Sequence, residues 1–271
     1  MIYFIPTPIG NIDDISVRSL RLLADCHTLF CEDTRVTKKL LSLLSKKHQI
    51  HFEVENFISM HSHNEETVLS KIDLSVFDKN VAYLSDAGMP CISDPGAIFI
   101  KFCQEKKLKY EVLPGANAAI LAYATSGINS SRFIFYGFLP HKGQERSDGL
   151  SEILNSYYPT ILYESPHRIE KLMDELCQRE PLRNIFAIKE ATKRFEKRFF
   201  GTPCEVQKAF EKTNLKGEWV VIISPKERFG GEPITAEDIL TLDLPPKQKA
   251  KLLSKITGES IKYWYENLQK K

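Results

Sequence analysis

The sequence predicts an α/β protein built as two lobes, residues 1–115 and 116–224, followed by a linker and small helical segment over residues 225–271. Three observations carry that prediction. Short apolar runs such as Val81-Ala82-Tyr83-Leu84 are bounded by Pro/Gly turns and followed by segments of helical periodicity. After Gly127 the texture changes to the strongly β run Phe133-Ile134-Phe135-Tyr136-Gly137-Phe138, which marks a second lobe. From Pro225 to Pro233 the chain is rich in Pro, Gly and charge, and three helical patterns follow. A chain of 271 residues can bury a sizeable core. Its 42% hydrophobic and 27% charged residues are those of a globular protein. No apolar run approaches the roughly 20 residues of a membrane helix, so a cytoplasmic protein without a membrane span is expected. The opening Met1-Ile2-Tyr3-Phe4-Ile5-Pro6 has no basic region and is expected to be a first strand rather than a leader.

Residues 2–5 form a strand and Pro6-Thr7-Pro8-Ile9-Gly10-Asn11 a rigid turn, followed by a helix over 16–24 whose apolar face is Val17, Leu20, Leu23 and Ala24. The strand 28–31 ends in Glu32-Asp33-Thr34-Arg35, and Thr34 or Thr37 caps a helix carrying Leu40, Leu41, Leu43 and Leu44. His61 and His63 have metal-ligand spacing, but no third ligand follows in a recognisable pattern, so no metal is assigned; a helix over 65–72 comes next. The strand 81–84 leads into the loop 85–96, with Gly88, Pro90 and Pro95 shaping it and Asp86 and Asp94 at the carboxyl end of the strand, where open α/β sheets bind ligands. Asp94 and Pro95 are expected to cap a helix over 95–106. A strand over 110–113, Pro114-Gly115 and an alanine-rich helix over 116–125 complete this half.

In the second half, residues 139–149 are polar and basic and are expected to be a mobile loop. The strand 160–163 runs into Glu164-Ser165-Pro166-His167-Arg168, where Ser165-Pro166 starts a helix to about residue 177 and offers N–H groups to an anion. A strand over 185–189 follows. Thr202-Pro203-Cys204-Glu205 has capping-box spacing, with a helix ending near 212, and 218–224 is the last strand. Helices over 236–240, 247–256 and 260–268, with Thr257-Gly258 between the last two, fit a helix-turn-helix or a small bundle.

The net charge of +2 does not by itself imply nucleic acid, but charge is unevenly placed: five basic residues fall between Lys189 and Arg198, and seven lysines after Pro245. The six cysteines, at 26, 31, 91, 103, 177 and 204, form no Cys-x-x-Cys pair and are expected to be reduced core residues. No Gly-x-Gly-x-x-Gly, Walker lysine loop, Gly-x-Ser-x-Gly or His-Glu-x-x-His occurs, which sets aside the common dinucleotide, nucleoside triphosphate, hydrolase and zincin chemistries.

What remains is a set of rigid loops in a fixed order: Pro6-Thr7-Pro8-Ile9-Gly10-Asn11, Glu32-Asp33-Thr34-Arg35, the loop 85–96, Leu113-Pro114-Gly115, Gly137-Phe138-Leu139-Pro140, Tyr163-Glu164-Ser165-Pro166-His167-Arg168 and Lys189-Glu190-Ala191-Thr192-Lys193. In that order and spacing the chain resembles the ribosomal RNA small subunit methyltransferase I group, the RNA-modifying branch of the tetrapyrrole methylase superfamily, over nearly its whole length. The resemblance implies two α/β lobes of the tetrapyrrole methylase type with S-adenosylmethionine (SAM) between them, usually as a homodimer. It also implies 2′-O-methylation of a cytidine ribose in the decoding region of 16S rRNA, as free rRNA or in the small ribosomal subunit. Carried over, the SAM cradle is Pro8, Ala87, Gly88, Met89, Ile92, Asn117, Ala118, Tyr163 and Glu164. By residue type and strand-end position, Glu164, His167 and Glu190 are the candidates for taking the proton of a weakly nucleophilic hydroxyl. Arg35, Arg168 and Lys193 are candidates for RNA phosphates, or pair with Asp33, Glu32 and Glu190.

The chain departs from the family where Lys189 replaces arginine, losing bidentate geometry, and where Gly88-Met89-Pro90-Cys91 replaces Gly-Thr-Pro-Gly, a change expected to alter backbone contacts little. Three alternatives remain: a tetrapyrrole methylase; a phosphoryl-transfer enzyme with Mg2+ on Glu32, Asp33, Asp86 and Asp94; and an RNA-binding assembly factor without activity.

Overall fold

The computed structural model describes residues 1–227 and 234–269, which fall in two compact units, Met1–Lys226 and Glu227–Lys271. Residues 228–233 of the expected linker and Lys270 and Lys271 of the basic run lie outside the described residues. In the first unit, Ile2–Phe4 (β1), Thr28–Cys31 (β2), Asn56–Ser59 (β3), Val81–Leu84 (β4) and Tyr110–Val112 (β5) pair in the order β3-β2-β4-β1-β5, all parallel. β2 and β4 are buried at every position because helices cover both faces, which is why they read as unbroken apolar runs. Val17–Ala24 (α1) and Thr34–His48 (α2) bring Leu20, Leu23, Leu41 and Leu44 to one face. Glu65–Lys71 (α3) and Ala97–Glu105 (α4) bring Leu69, Phe99 and Cys103 to the other. α1 follows β1 and α4 follows β4, so two neighbouring strands send their connections to opposite faces. A crevice opens at their carboxyl ends.

Two helix starts around the first sheet differ from expectation. α2 is capped by Asp33 rather than Thr34 or Thr37: the Asp33 carboxylate accepts the Arg35 N–H at 2.8 Å, and Thr37 is buried one turn further on. α4 begins at Ala97 with Gly96 as its cap, so Asp94 stays in the loop. Gly96 sits at φ 121, and a Cβ there would lie 2.9 Å from both Cys91 Sγ and Tyr83 Cε1, so only glycine fits this turn. Val17, expected on the apolar face of α1, is exposed.

The second sheet joins Ile134–Phe138 (β6), Thr160–Glu164 (β7), Ile185–Lys189 (β8), Lys197–Gly201 (β9) and Trp219–Ile223 (β10) in the order β6-β7-β10-β8-β9. β6 and β7 are parallel, whereas β10 runs antiparallel to both β7 and β8, and β9 antiparallel to β8. Ala118–Ser126 (α5) packs Ala119 and Ala122 on one face. Gly143–Asn155 (α6), Ile169–Arg179 (α7) and Pro203–Phe210 (α8) cover the other. The register of β6 shifts between Phe135 and Gly137, where Gly137 takes φ 76. β9 escaped the sequence pattern because it is an edge strand with Lys197, Arg198 and Phe200 exposed. Phe199 alone is turned inward, its ring 5.6 Å from Trp219 and 5.3 Å from Phe210.

The expected mobile loop over 139–149 is largely α6, ordered around a buried arginine. The Arg146 side chain is 2% exposed. Its Nε and Nη2 donate to the Glu175 carboxylate at 2.8–3.0 Å, and Nη1 donates to the Pro140 carbonyl at 3.1 Å and lies 3.7 Å from Glu164 Oε2. The apolar positions of this helix, Leu150, Ile153 and Leu154, come late, after a polar first turn with no apolar period to read. Gly149 permits the close approach of Tyr136, whose hydroxyl would be 2.5 Å from a Cβ there. The cysteines also differ: Cys26, Cys31 and Cys103 are buried thiols and Cys91 is half-buried, but Cys177 of α7 and Cys204 of α8 form a disulfide. Adjacent packing of those two helices, with a Cα–Cα distance of 5.4 Å, puts them together across 27 residues of sequence.

In the second unit, Ala236–Thr241 (α9) has a capping box from Thr235 and Asp238, and Pro246–Thr257 (α10) and Ile261–Gln269 (α11) pack on each other across the Thr257-Gly258 turn. Gly258 takes the left-handed C-cap at φ 78, and Trp264 Nε1 donates to Thr257 Oγ1 at 2.8 Å. Lys247, Lys251 and Lys255 recur every fourth residue and are exposed, forming one basic stripe along α10.

Removing Arg146 leaves Glu164 and Glu175 without their shared cation. Arg146→Ala is expected to destabilise the first unit by about 3–5 kcal/mol, read as a lower urea midpoint at unchanged slope.

Candidate functional site

The loops after β1 and β4 meet at the crevice. Thr7 and Gly88 form an antiparallel bridge, the Thr7 N–H donating to the Gly88 carbonyl at 2.9 Å and the Gly88 N–H to the Thr7 carbonyl at 3.1 Å. Beneath it, Thr7 Oγ1 donates to the Ser85 carbonyl and Ser85 Oγ to the Gly88 carbonyl, at 3.2 and 3.0 Å, both side chains being buried. Gly88 sits at φ 86 and leaves only 3.1 Å between an added Cβ and Ile9 Cγ2. Further along, Cys91 and Ser93 take left-handed conformations at φ 68 and 67, and the Cys91 N–H donates to the Pro95 carbonyl at 3.2 Å. That backbone contact is made, yet Cys91 holds a conformation that costs a side-chain-bearing residue about 1–2 kcal/mol and glycine nothing.

A cleft of about 400 Å³ lies between these loops and the second sheet. Every residue expected to cradle the cofactor lines it except Pro8, whose place is taken by its neighbour Ile9. Ala87, Gly88, Met89 and Ile92 come from the β4 loop, Asn117 and Ala118 from the start of α5, and Tyr163 and Glu164 from the end of β7. Asn117 also caps α5, its Oδ1 accepting the Ile120 N–H at 3.0 Å. Phe138 and Ala191 add apolar surface that the motifs did not single out.

The cleft is acidic, and its carboxylates are held differently. Glu164, 3% exposed, receives the Ser165 N–H and Arg168 Nη2 on Oε1, each at 2.7 Å. Its Oε2 is buried without a hydrogen-bond partner. Asp86 accepts the Asp33 N–H at 3.2 Å, and Glu32 accepts the Asp86 N–H at 3.2 Å. Burial pushes Asp86 and Glu32 above the ordinary carboxylate range. Asp94 is pushed up to about 7, first by burial and then by the negative charges of Glu32, Asp86 and Glu218. Glu218 lines the cleft from the residue before β10. Because β10 is antiparallel to its neighbours, its beginning meets the ends of β7 and β8, a direction the sequence reading did not assign. An unpartnered buried carboxylate oxygen, uncompensated acids and apolar walls fit a ligand that carries positive charge on an apolar body.

The other expected site residues are placed elsewhere or engaged. His167 is exposed and does not line the cleft. Glu190, at φ 53, lies outside the lining too; its Oε1 accepts Lys193 Nζ and the Glu218 N–H, both at 3.0 Å. The three basic candidates are paired with carboxylates. Arg35 grips Asp33 but is largely exposed, Arg168 holds Glu164 and the Leu139 carbonyl, and Lys193 joins Glu190 and Glu218. Arg168, expected to pair with Glu32 or a phosphate, has a side chain only 16% exposed. Lys189 is buried at the end of β8. The Ser165-Pro166 turn is no helix N-terminus: α7 starts at Ile169, and the Arg168 and Ile169 N–H groups both close on the Ser165 carbonyl. Among the described residues no group of three His, Cys, Asp or Glu is placed to hold a metal.

The family model for tetrapyrrole (corrin/porphyrin) methylases matches residues 1–207. The chain is 51% identical over 269 residues to ribosomal RNA small subunit methyltransferase I of Campylobacter fetus subsp. fetus, covering 99% of each. It is 40% identical to the protein of that name from Helicobacter pylori strain J99, over 98% of this chain and 96% of that one. Among solved structures, uroporphyrin-III C-methyl transferase from Thermus thermophilus complexed with S-adenyl homocysteine superposes with a TM-score of 0.56 at 15% identity, over 82% of this chain and 96% of the other. At that identity the likeness concerns the fold.

Asp94 ordinarily titrates at 3.8 and in the fold at about 7, so between those values the native chain binds more protons than the unfolded one. Stability is therefore expected to fall as pH rises through that window. Asp94→Asn is expected to flatten this dependence and raise the melting temperature at pH 8, as followed by calorimetry across pH 4–8.

Proposed function

Because this chain belongs to the tetrapyrrole (corrin/porphyrin) methylase family and, within it, to the ribosomal RNA small subunit methyltransferase I group, we propose that it transfers a methyl group from SAM to RNA of the small ribosomal subunit. The acceptor is the 2′-hydroxyl of a cytidine in the decoding region of 16S rRNA, and the working form is a cytoplasmic homodimer. No described helix is long and apolar enough to cross a membrane. The observation that carries the reading is the cleft at the β1/β4 crevice, where the Gly88 backbone, Asn117 and Tyr163 converge beside the unpartnered Glu164 Oε2.

Ala87, Gly88, Met89 and Ile92 would hold the cofactor on one side and Asn117, Ala118, Tyr163 and Glu164 on the other. When bound, SAM supplies a methyl group on a positively charged sulfur. The acids around the cleft complement that charge, and the apolar walls exclude water from it. With the hydroxyl held in line, positioning supplies much of the rate. Arg35, exposed at the rim of the first sheet's loops, and the lysine stripe of α10 are the surfaces offered to RNA phosphates.

Titrating SAM into the metal-free protein, alongside tritiated methyl transfer to unmodified small subunits, tests the reading. Binding with label recovered in a cytidine ribose is expected; no binding at millimolar SAM would sink it. Lys247→Gln, Lys251→Gln and Lys255→Gln together are expected to weaken RNA binding at unchanged SAM affinity. They should also reduce the slope of log K against log salt by about 1 for each phosphate no longer neutralised, measured by fluorescence anisotropy.

A further inference from the structure

We propose that Asp94 is the general base of the transfer, receiving the proton of the acceptor ribose hydroxyl; the inference rests on the methyl-transfer reading above. The other acids of the site are already engaged. Glu164 carries Arg168 and a backbone N–H, Asp86 carries the Asp33 N–H, Glu218 carries Lys193, and Glu190 stands outside the cleft with Lys193 and the Glu218 N–H on it. Asp94 lines the cleft half-buried, and among the described residues its carboxylate has neither a hydrogen bond nor an ion pair.

The charged and titratable groups that face it are Glu32 after β2, Asp86 after β4, Glu218 before β10, Tyr83 of β4, Tyr163 of β7 and Cys91 of its own loop. None of these is a cation, and the cation on Glu218, Lys193, is shared with Glu190. Of the three neighbouring anions only Glu218 has a counter-ion, so the surroundings favour taking up a proton, and Asp94 changes state near neutral pH, where a base is most useful. Its position is preset. Left-handed Cys91 and Ser93, the Cys91 N–H on the Pro95 carbonyl and the glycine-only turn at Gly96 fix the loop on both sides of it.

In the step itself the hydroxyl proton passes to the Asp94 carboxylate while the ribose oxygen forms its bond to the methyl carbon. The carbon–sulfur bond breaks and its electron pair stays on sulfur as a neutral thioether. The cleft thus divides its labour: Glu164, held by Arg168 and Arg146, orients through Oε2, and Asp94 moves the proton.

The test combines the pH profile of kcat with a 13C-carboxyl NMR titration of aspartate-labelled protein, on the wild type, Asp94→Asn and Glu32→Gln, with SAM titrations on the same samples. The wild type is expected to gain activity with pH along a limb that coincides with one carboxyl resonance missing from Asp94→Asn. Asp94→Asn is expected to bind SAM and lose about 10²–10⁴-fold in turnover. Glu32→Gln removes a repelling charge and is expected to move both the limb and the resonance to lower pH, a shift that a merely structural role for Asp94 would not produce. A wild type that methylates while Asp94→Asn keeps pace, a limb that ignores Glu32→Gln, or loss of SAM binding in Asp94→Asn overturns the proposal. A wild type that neither binds SAM nor methylates RNA overturns the methyl-transfer reading itself.

Discussion

The two-way hydrogen bond between Thr7 and Gly88 is the constraint on which the site depends. β1 and β4 are neighbours whose chains depart to opposite faces of the sheet, and nothing in the strands themselves stops the two loops from parting. The bridge ties them, and the buried hydroxyls of Thr7 and Ser85 satisfy the carbonyls beneath it. Gly88 makes this possible twice over: its φ is open to glycine at no cost, and its missing side chain leaves Ile9 room to reach the cleft. Ala87 and Met89 are then presented from a loop with little freedom to move.

The charges follow from that geometry. Strand ends from the first sheet converge, and with them Glu32, Asp86 and Asp94; the antiparallel β10 adds Glu218 from the second. On the second sheet the acid Glu164 is matched by Arg146 and Arg168, and those guanidiniums also tie α6 and the Leu139-Pro140 turn to the end of β7. One wall is therefore electrostatically compensated and stiff, and the facing wall carries excess negative charge. Burying an arginine is unfavourable unless its donors are satisfied, and Arg146 meets that condition through Glu175 and Pro140.

Most of this architecture was legible in the chain. The strands buried on both faces, Val81–Leu84 and Ile185–Lys189 among them, announced themselves as apolar runs, and the glycine-bearing loop 85–96 lines the cleft. Alternation and apolar content failed where something other than a core face set the structure. α6 is held by an ion pair with a residue 29 positions away, and β9 is an edge strand with one inward ring. The candidate bases were chosen by residue type and position along the chain, which cannot say that Glu190 is gripped by Lys193 or that His167 turns to solvent. Asp94 was visible as a strand-end acid, but that no cation among the described residues pairs with it shows only once the loops after β2 and β4 and before β10 are assembled.

Among the described residues the second sheet ends in two open backbone edges, and each is spoiled for a newcomer. At β6 the left-handed Gly137 breaks the hydrogen-bond ladder partway along, so an added strand could not stay in register. At β9 the exposed Lys197 and Arg198 set like charges where another copy of the same strand would have to lie. Aromatic side chains stand in both of those short strands, and the register break at one edge and the charges at the other disfavour the addition of a further strand.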